Sequence, residues 1–231
     1  VVFNSDRDHT AHLVLYSTPA DGSGHPVRLP TDTTMHQQPF AWAANGTELV
    51  YTQGPNETSG TMDIWTVAVN GSGRPRPLMQ TPANEAQPAL SPDGRWLAWM
   101  TDESGRPEVM VRRYPDGPSV PVSRDGGVEP VWDRDGRKLY FRDVGASKVL
   151  TASFQPGEPP AVGAPRVLFT GRYLNCYIFC RNYDVSPDGH HFVMSPWSQG
   201  ASEVNFWPSG SEIRIVPHWD RELERKMRAS R

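Results

Sequence analysis

The chain has 231 residues, a formal net charge of −3 and a pI near 6.2, a balance that excludes a global pull toward nucleic-acid phosphates or anionic lipid. Hydrophobic residues make up 37% and charged residues 21%, with 20 Gly and 23 Pro, which suits many short strands and tight turns rather than long helices. No run approaches the roughly 18 to 20 apolar residues that cross a bilayer, and the first residues lack the basic start and apolar stretch of a signal peptide, so no membrane insertion by this segment is expected.

In chain order, residues 2–6 (VFNSD) align without gaps on residues 98–102 (AWMTD), and residues 13–15 then fall on residues 109–111. The chain therefore opens in the second strand of a repeat. With no initiator Met, it reads as part of a longer polypeptide.

A full unit follows. Residues 38–46 (QPFAWAANG) form a turn, residues 48–52 a strand, residues 63–69 a third strand with clear alternation and residues 76–79 a short fourth run. The same order recurs from residues 87–94 (QPALSPDG), residues 129–136 (EPVWDRDG) and residues 182–189 (NYDVSPDG), each followed three residues later by Leu or Phe. Asn-Gly or Asp-Gly between two apolar runs is a strong hairpin signal, because the turn needs positive φ and Gly adopts it without steric cost. The first full unit departs from the others: Ala43-Ala44 stands where two of them have Ser-Pro, and it carries one extra residue before Gly46. That predicts an altered first strand there. The last strand expected is residues 212–216.

Four short strands per unit, repeated, predict an all-β fold: a β-propeller of four-stranded antiparallel blades. About five blades are visible. They are expected near residues 1–35 (partial), 36–84, 85–126, 127–181 and 182–219, followed by a short charged C-terminal helix or tail at 220–231.

Residues 87–99 (QPALSPDGRWLAW) and 183–192 (YDVSPDGHHF) resemble the repeats of TolB-like, WD-repeat-like propellers. Residues 215–219 (IVPHW) and the charged tail resemble the endings of such propellers at the C-terminus of bacterial receptor-type serine/threonine kinases, or attached to winged-helix regulators. Such propellers usually have six or more blades, so the resemblance implies part of a larger ring. It also implies a non-catalytic sensor or scaffold module that binds a protein, a peptide or a small ligand at the propeller axis. Two rivals remain open: the propeller of a prolyl-oligopeptidase-like serine peptidase without its hydrolase domain, and a periplasmic TolB-type assembly protein. The compartment stays open between the bacterial periplasm or another extracytoplasmic space and the cytoplasm.

No G-x-S-x-G nucleophile turn, H-E-x-x-H pair, phosphate-binding loop or kinase catalytic loop occurs, so no catalytic residue, metal site or cofactor is expected in this segment. Asp93, Asp135 and Asp188 sit in Asp-Gly turns, where Asp bonds its own backbone. His190 and His191 begin a strand, which sends their rings to opposite faces. Cys176 and Cys180 leave three readings: ordinary buried thiols, a local disulfide or a metal pair. Strand geometry would separate them by about 13 Å, so a bridge needs a turn.

The candidate binding residues stand just before the innermost strands, where they would line the axial channel or its mouth: His36, Gln38, Glu85, Gln87, Glu129, Arg181 and Asn182. A second candidate surface is aromatic, made of Tyr173, Tyr177, Phe179, Phe206 and Trp207, for which blade packing is the competing reading.

Overall fold

The computed structural model describes residues 1–194 apart from 9–10, 56–59, 72, 175–179 and 190. The strand expected at 212–216 and the tail at 220–231 lie outside the described residues. Among those described, the regular structure is all β.

A three-stranded antiparallel sheet opens the chain, with strands β1 (Val2–Ser5), β2 (Val14–Ser17) and β3 (Val27–Arg28). The next sheet is β4 (His36–Trp42), β5 (Glu48–Gly54), β6 (Asp63–Ala68) and β7 (Arg76–Met79) in simple up-and-down order. It is repeated by β8 (Glu85–Leu90), β9 (Trp96–Thr101), β10 (Glu108–Arg113) and β11 (Val120–Pro121). The next sheet has five strands, beginning with β12 (Val128–Trp132), β13 (Lys138–Arg142) and β14 (Lys148–Gln155). Its β14 is long enough to pair with both the two-residue β15 (Ala161–Val162) and β16 (Arg166–Thr170). A hairpin of β17 (Tyr183–Val185) and β18 (Phe192–Met194) ends the described region. The first strands of consecutive sheets face one another, β4 against β8 and β8 against β12, which is the arrangement of propeller blades around an axis.

The expected turns form for a physical reason. Gly46, Gly94, Gly136 and Gly189 all have φ between 66° and 70°. At Gly94 a side chain is excluded twice over, since an added Cβ would also lie 2.4 Å from the Cβ of Ala44 in the preceding blade. In three turns a side chain at the turn's first residue accepts the backbone N–H five residues on: Ser91 Oγ from Trp96 (3.0 Å), Asp133 Oδ1 from Lys138 (3.0 Å) and Ser186 Oγ from His191 (2.9 Å). Ala43 has no such acceptor, and there Asn45 Oδ1 takes the Thr47 N–H instead. Asp93 bonds its own turn through Arg95 N, as expected of Asp-Gly.

Two details of register correct the sequence alignment. Asn4 pairs with Leu15 as Met100 pairs with Val109, so the match to residues 109–111 is residues 15–17, not 13–15. The cause is loop length, with eight residues between Ser5 and Val14 against six between Thr101 and Glu108. In the first full unit Ala41 pairs with Val50 as Ala89 pairs with Ala98. Pro39, rather than Gln38, therefore stands where Gln87 does, and Gln37 takes the place of Glu85. The extra residue is absorbed by sliding the Gln-Pro pair along the strand, and each inner strand keeps a β-bulge at this level.

A repeating backbone bond ties each inner strand to the preceding blade: Gln37 N to Leu13 O (2.9 Å), Glu85 N to Met62 O (2.7 Å) and Gly127 N to Pro107 O (2.9 Å). Side chains reinforce the first two, where His36 Nδ1 and Asn84 Oδ1 accept from Leu13 N and Met62 N. The largest apolar cluster fills the space between the blade that begins with β8 and the one that begins with β12. Its centre is Phe154, edge-on to both Trp96 and Trp132 at centroid distances of 5.0 and 4.9 Å. Trp132 Nε1 donates to Ala89 O of the neighbouring blade at 3.0 Å.

Candidate functional site

The bulges decide where the predicted residues go. Gln87 and Glu129, each just before a proline, adopt φ of 54° and 56°, a left-handed conformation uncommon for residues with a side chain. Both side chains are fully buried and join three blades. Gln87 Oε1 accepts Glu129 N (2.7 Å), and Gln87 Nε2 donates to Cys180 O (2.9 Å). The Glu129 carboxylate accepts Arg142 Nη1 at 3.2 Å on each oxygen and Asn182 N at 3.1 Å, while Tyr183 Oη donates to Glu129 O at 2.8 Å. Arg142 also donates to Leu174 O (2.8 Å) and Ala146 O (3.0 Å). Burial pushes the Glu129 carboxyl above the ordinary glutamate range, opposed by the guanidinium of Arg142.

Gln87, Glu129 and Asn182 are thus brought together, around an arginine that the sequence reading did not single out. The signal was available: Arg142 closes its strand directly after the apolar run Leu139-Tyr140-Phe141 and pairs with Val128, next to Glu129. His36 and Gln38 lie apart, at the contact with the opening sheet. The His36 ring stands edge-on to His12 (4.6 Å), and Gln38 Oε1 accepts Asn4 Nδ2 (2.7 Å). Glu85 is a third environment, only 3% exposed. Its Oε1 accepts the Thr81 hydroxyl, and its buried Oε2 has no hydrogen-bond partner among the described residues.

Burial raises the Glu85 carboxyl above its ordinary value, Thr81 opposes that rise, and the nearby Asp63 and Glu103 charges add to it. A raised folded-state value means that the folded chain keeps this proton where the unfolded chain has lost it. The stability it contributes is full below the ordinary glutamate range, near 4.3, and is lost as pH rises through the raised value. Glu85→Gln is accordingly expected to gain stability relative to the parent as pH rises from 4 to 7. Denaturation midpoints of both chains across that range would check it, and a constant difference would contradict it.

Arg181 lies elsewhere again. It lines a cavity of about 480 Å³ where the ends of four inner strands converge. Phe40 and Ala41 come from β4, Ala89 and Leu90 from β8, Val131 and Trp132 from β12, and Asp184 and Val185 from β17. Arg134 and Asp133 complete a mixed-charge rim over an apolar wall. The surface is concave, with polar groups converging over the apolar wall.

Of the aromatic candidates, Tyr173 packs edge-on to Phe169 at 6.4 Å and lies 6.0 Å from the Arg142 guanidinium. Tyr177, Phe179, Phe206 and Trp207 lie outside the described residues. Cys180 is disulfide-bonded, which corrects the reading of it as an ordinary thiol, while Cys176 lies outside the described residues. Among the described residues no group of three or more His, Cys, Asp and Glu could hold a metal ion, and no helix is long and apolar enough to cross a membrane.

No protein-family model matches the sequence. A TolB candidate from Agrobacterium tumefaciens superposes with a TM-score of 0.62 at 20% identity, covering 85% of this chain and 71% of that one. A puromycin-hydrolyzing peptidase of Mycobacterium tuberculosis gives 0.55 at 20% identity, covering 76% of this chain and 31% of the peptidase. In sequence, 90 residues are 29% identical to Tricorn protease homolog 1 of Streptomyces coelicolor. That match takes in 38% of this chain and spans 8% of the length of that relative. These likenesses establish the fold, a TolB-like β-propeller.

Proposed function

We propose that the chain is a non-catalytic β-propeller module that binds a protein or peptide segment at the axial cavity, as the sensor or scaffold part of a larger regulatory protein such as a serine/threonine kinase. The observation that carries this reading is the cavity itself, an apolar wall from four blades beneath the cationic Arg181 and Arg134. Such a lining suits an extended segment with one apolar side chain and a neighbouring carboxylate. Panning a random peptide library on the chain tests it. Selected peptides should carry that pair and lose about tenfold or more in affinity on Arg181→Glu, about 1.4 kcal/mol. Binders indifferent to Arg181→Glu would move the site elsewhere.

A second reading, the propeller of a serine peptidase, is favoured by the sequence match to the tricorn protease homolog. The parent open reading frame separates the two. If the full-length product takes up a fluorophosphonate probe on a serine outside this segment, the propeller belongs to a peptidase. A kinase or DNA-binding domain in the same frame supports the regulatory role.

A further inference from the structure

We infer that the cavity between the β10–β11 turn and the β14–β15 turn is a binding site for a small organic cation, an ammonium group on an apolar body. Three observations point there, and the first is an insertion. Arg76, Val120 and Arg166 begin β7, β11 and β16 at one register position, opposite Thr66, Val111 and Thr151. The chain reaches them from Ala68, Arg113 and Ser153, which pair with Glu48, Trp96 and Lys138. Seven residues (69–75) and six (114–119) suffice in the first two cases, whereas the blade that begins with β12 uses twelve (154–165). The added length carries β14 on to Gln155 and returns through β15. In repeat architectures, extra length in one unit is placed in loops, often on the binding face.

The second observation is the space this insertion encloses, a cavity of about 340 Å³ whose walls come from two blades. Its apolar lining is Trp96, Pro118, Pro159 and Pro160. Trp96 is braced edge-on by Phe154, and the prolines sit in two short turns, residues 115–118 (PDGP) and 156–160 (PGEPP), so the walls are stiff before anything binds. At the preceding blade boundary a polar contact stands in this place: Tyr114, the register counterpart of Phe154, donates its hydroxyl to Glu48, the counterpart of Trp96, at 3.2 Å. The third observation is charge. Arg113 of one wall pairs with Glu158 of the other. Asp116 also lines the cavity and forms no ion pair among the described residues. Arg112 lends Asp116 a through-space charge, but its guanidinium donates to Leu78 O and Pro115 O. The charged lining thus sums to one negative charge around an apolar interior, which matches an apolar body carrying one positive charge and repels an anion. The volume stands at the small end of ligand cavities, about 300 Å³ and upward, and suits a small molecule.

The probe is 2-phenylethylamine, protonated at neutral pH, titrated into the intact chain by isothermal calorimetry beside its neutral analogue 2-phenylethanol and its anionic analogue 3-phenylpropionate. Saturable binding of the amine is expected, about fivefold weaker binding of the alcohol, and none of the carboxylate. Asp116→Arg, a substitution at an exposed position, should weaken the amine by about tenfold and admit 3-phenylpropionate, a gain that an unfolded chain would not show. Arg181→Glu, at the axial cavity, should leave the amine affinity unchanged, so this site and the axial one fail separately. Absence of saturable binding, equal affinity for amine and alcohol, or unchanged amine affinity in a folded Asp116→Arg variant would overturn the inference. So would loss of the amine on Arg181→Glu, because the axial cavity would then be its site.

Discussion

Glu129→Ala is expected to destabilise the chain by about 3–5 kcal/mol, because it strands the Arg142 guanidinium, with no exposed surface, without its counter-charge. At this chain length such a loss lowers the melting temperature by on the order of 10 °C. The Asn182 backbone N–H loses its acceptor at the same time, so the connection from the blade that begins with β12 to the β17–β18 hairpin loosens. Arg142→Met should cost a similar amount, since Leu174 O and Ala146 O lose their donor and the buried Glu129 carboxyl loses its counter-charge. Thermal unfolding of both single variants and the double variant checks the argument. The double variant should be destabilised by clearly less than the sum, because the two residues share one interaction. Additive losses would show that the pair is not coupled.

Phe154→Ala is the second large loss, again about 3–5 kcal/mol. The ring is 2% exposed and wedged edge-on between two tryptophans of different blades, so truncation leaves a cavity that neither strand can close without breaking its ladder. Aromatic contacts at this geometry add to the lost burial. Urea unfolding should show a lower midpoint, and Phe154→Leu, which refills much of the volume, should recover part of it. If Phe154→Ala cost less than 1 kcal/mol, the blades that begin with β8 and β12 would not share a rigid core, contrary to the packing of Trp96 and Trp132 on this ring.

Much of the fold was legible because a propeller is built from local units. The turns ending in Gly46, Gly94, Gly136 and Gly189 announce themselves through φ-permissive glycine and an acceptor residue, all within nine residues of sequence. The apolar runs after them are strands for the same local reason. The site was legible only as a level in the blade. Gln87, Glu129 and Asn182 meet there, but as an internal network, while Arg181, adjacent to Asn182 in sequence, lines the open cavity. Gln38 was matched to Gln87 by its following proline, and cross-strand pairing places Pro39 there instead.

The amino-acid sequence by itself determined the strand-turn-strand rhythm, the four-stranded blade and the absence of hydrolase and kinase signatures in this segment, because each depends on residues close together in the chain. Tertiary structure decided the register of the first full blade, the burial of Glu129 against Arg142 and the cavity beside Arg181. Each of these depends on what an adjacent blade presents, and a bulge or a loop two residues longer shifts that contact without altering the local pattern that encodes the strand.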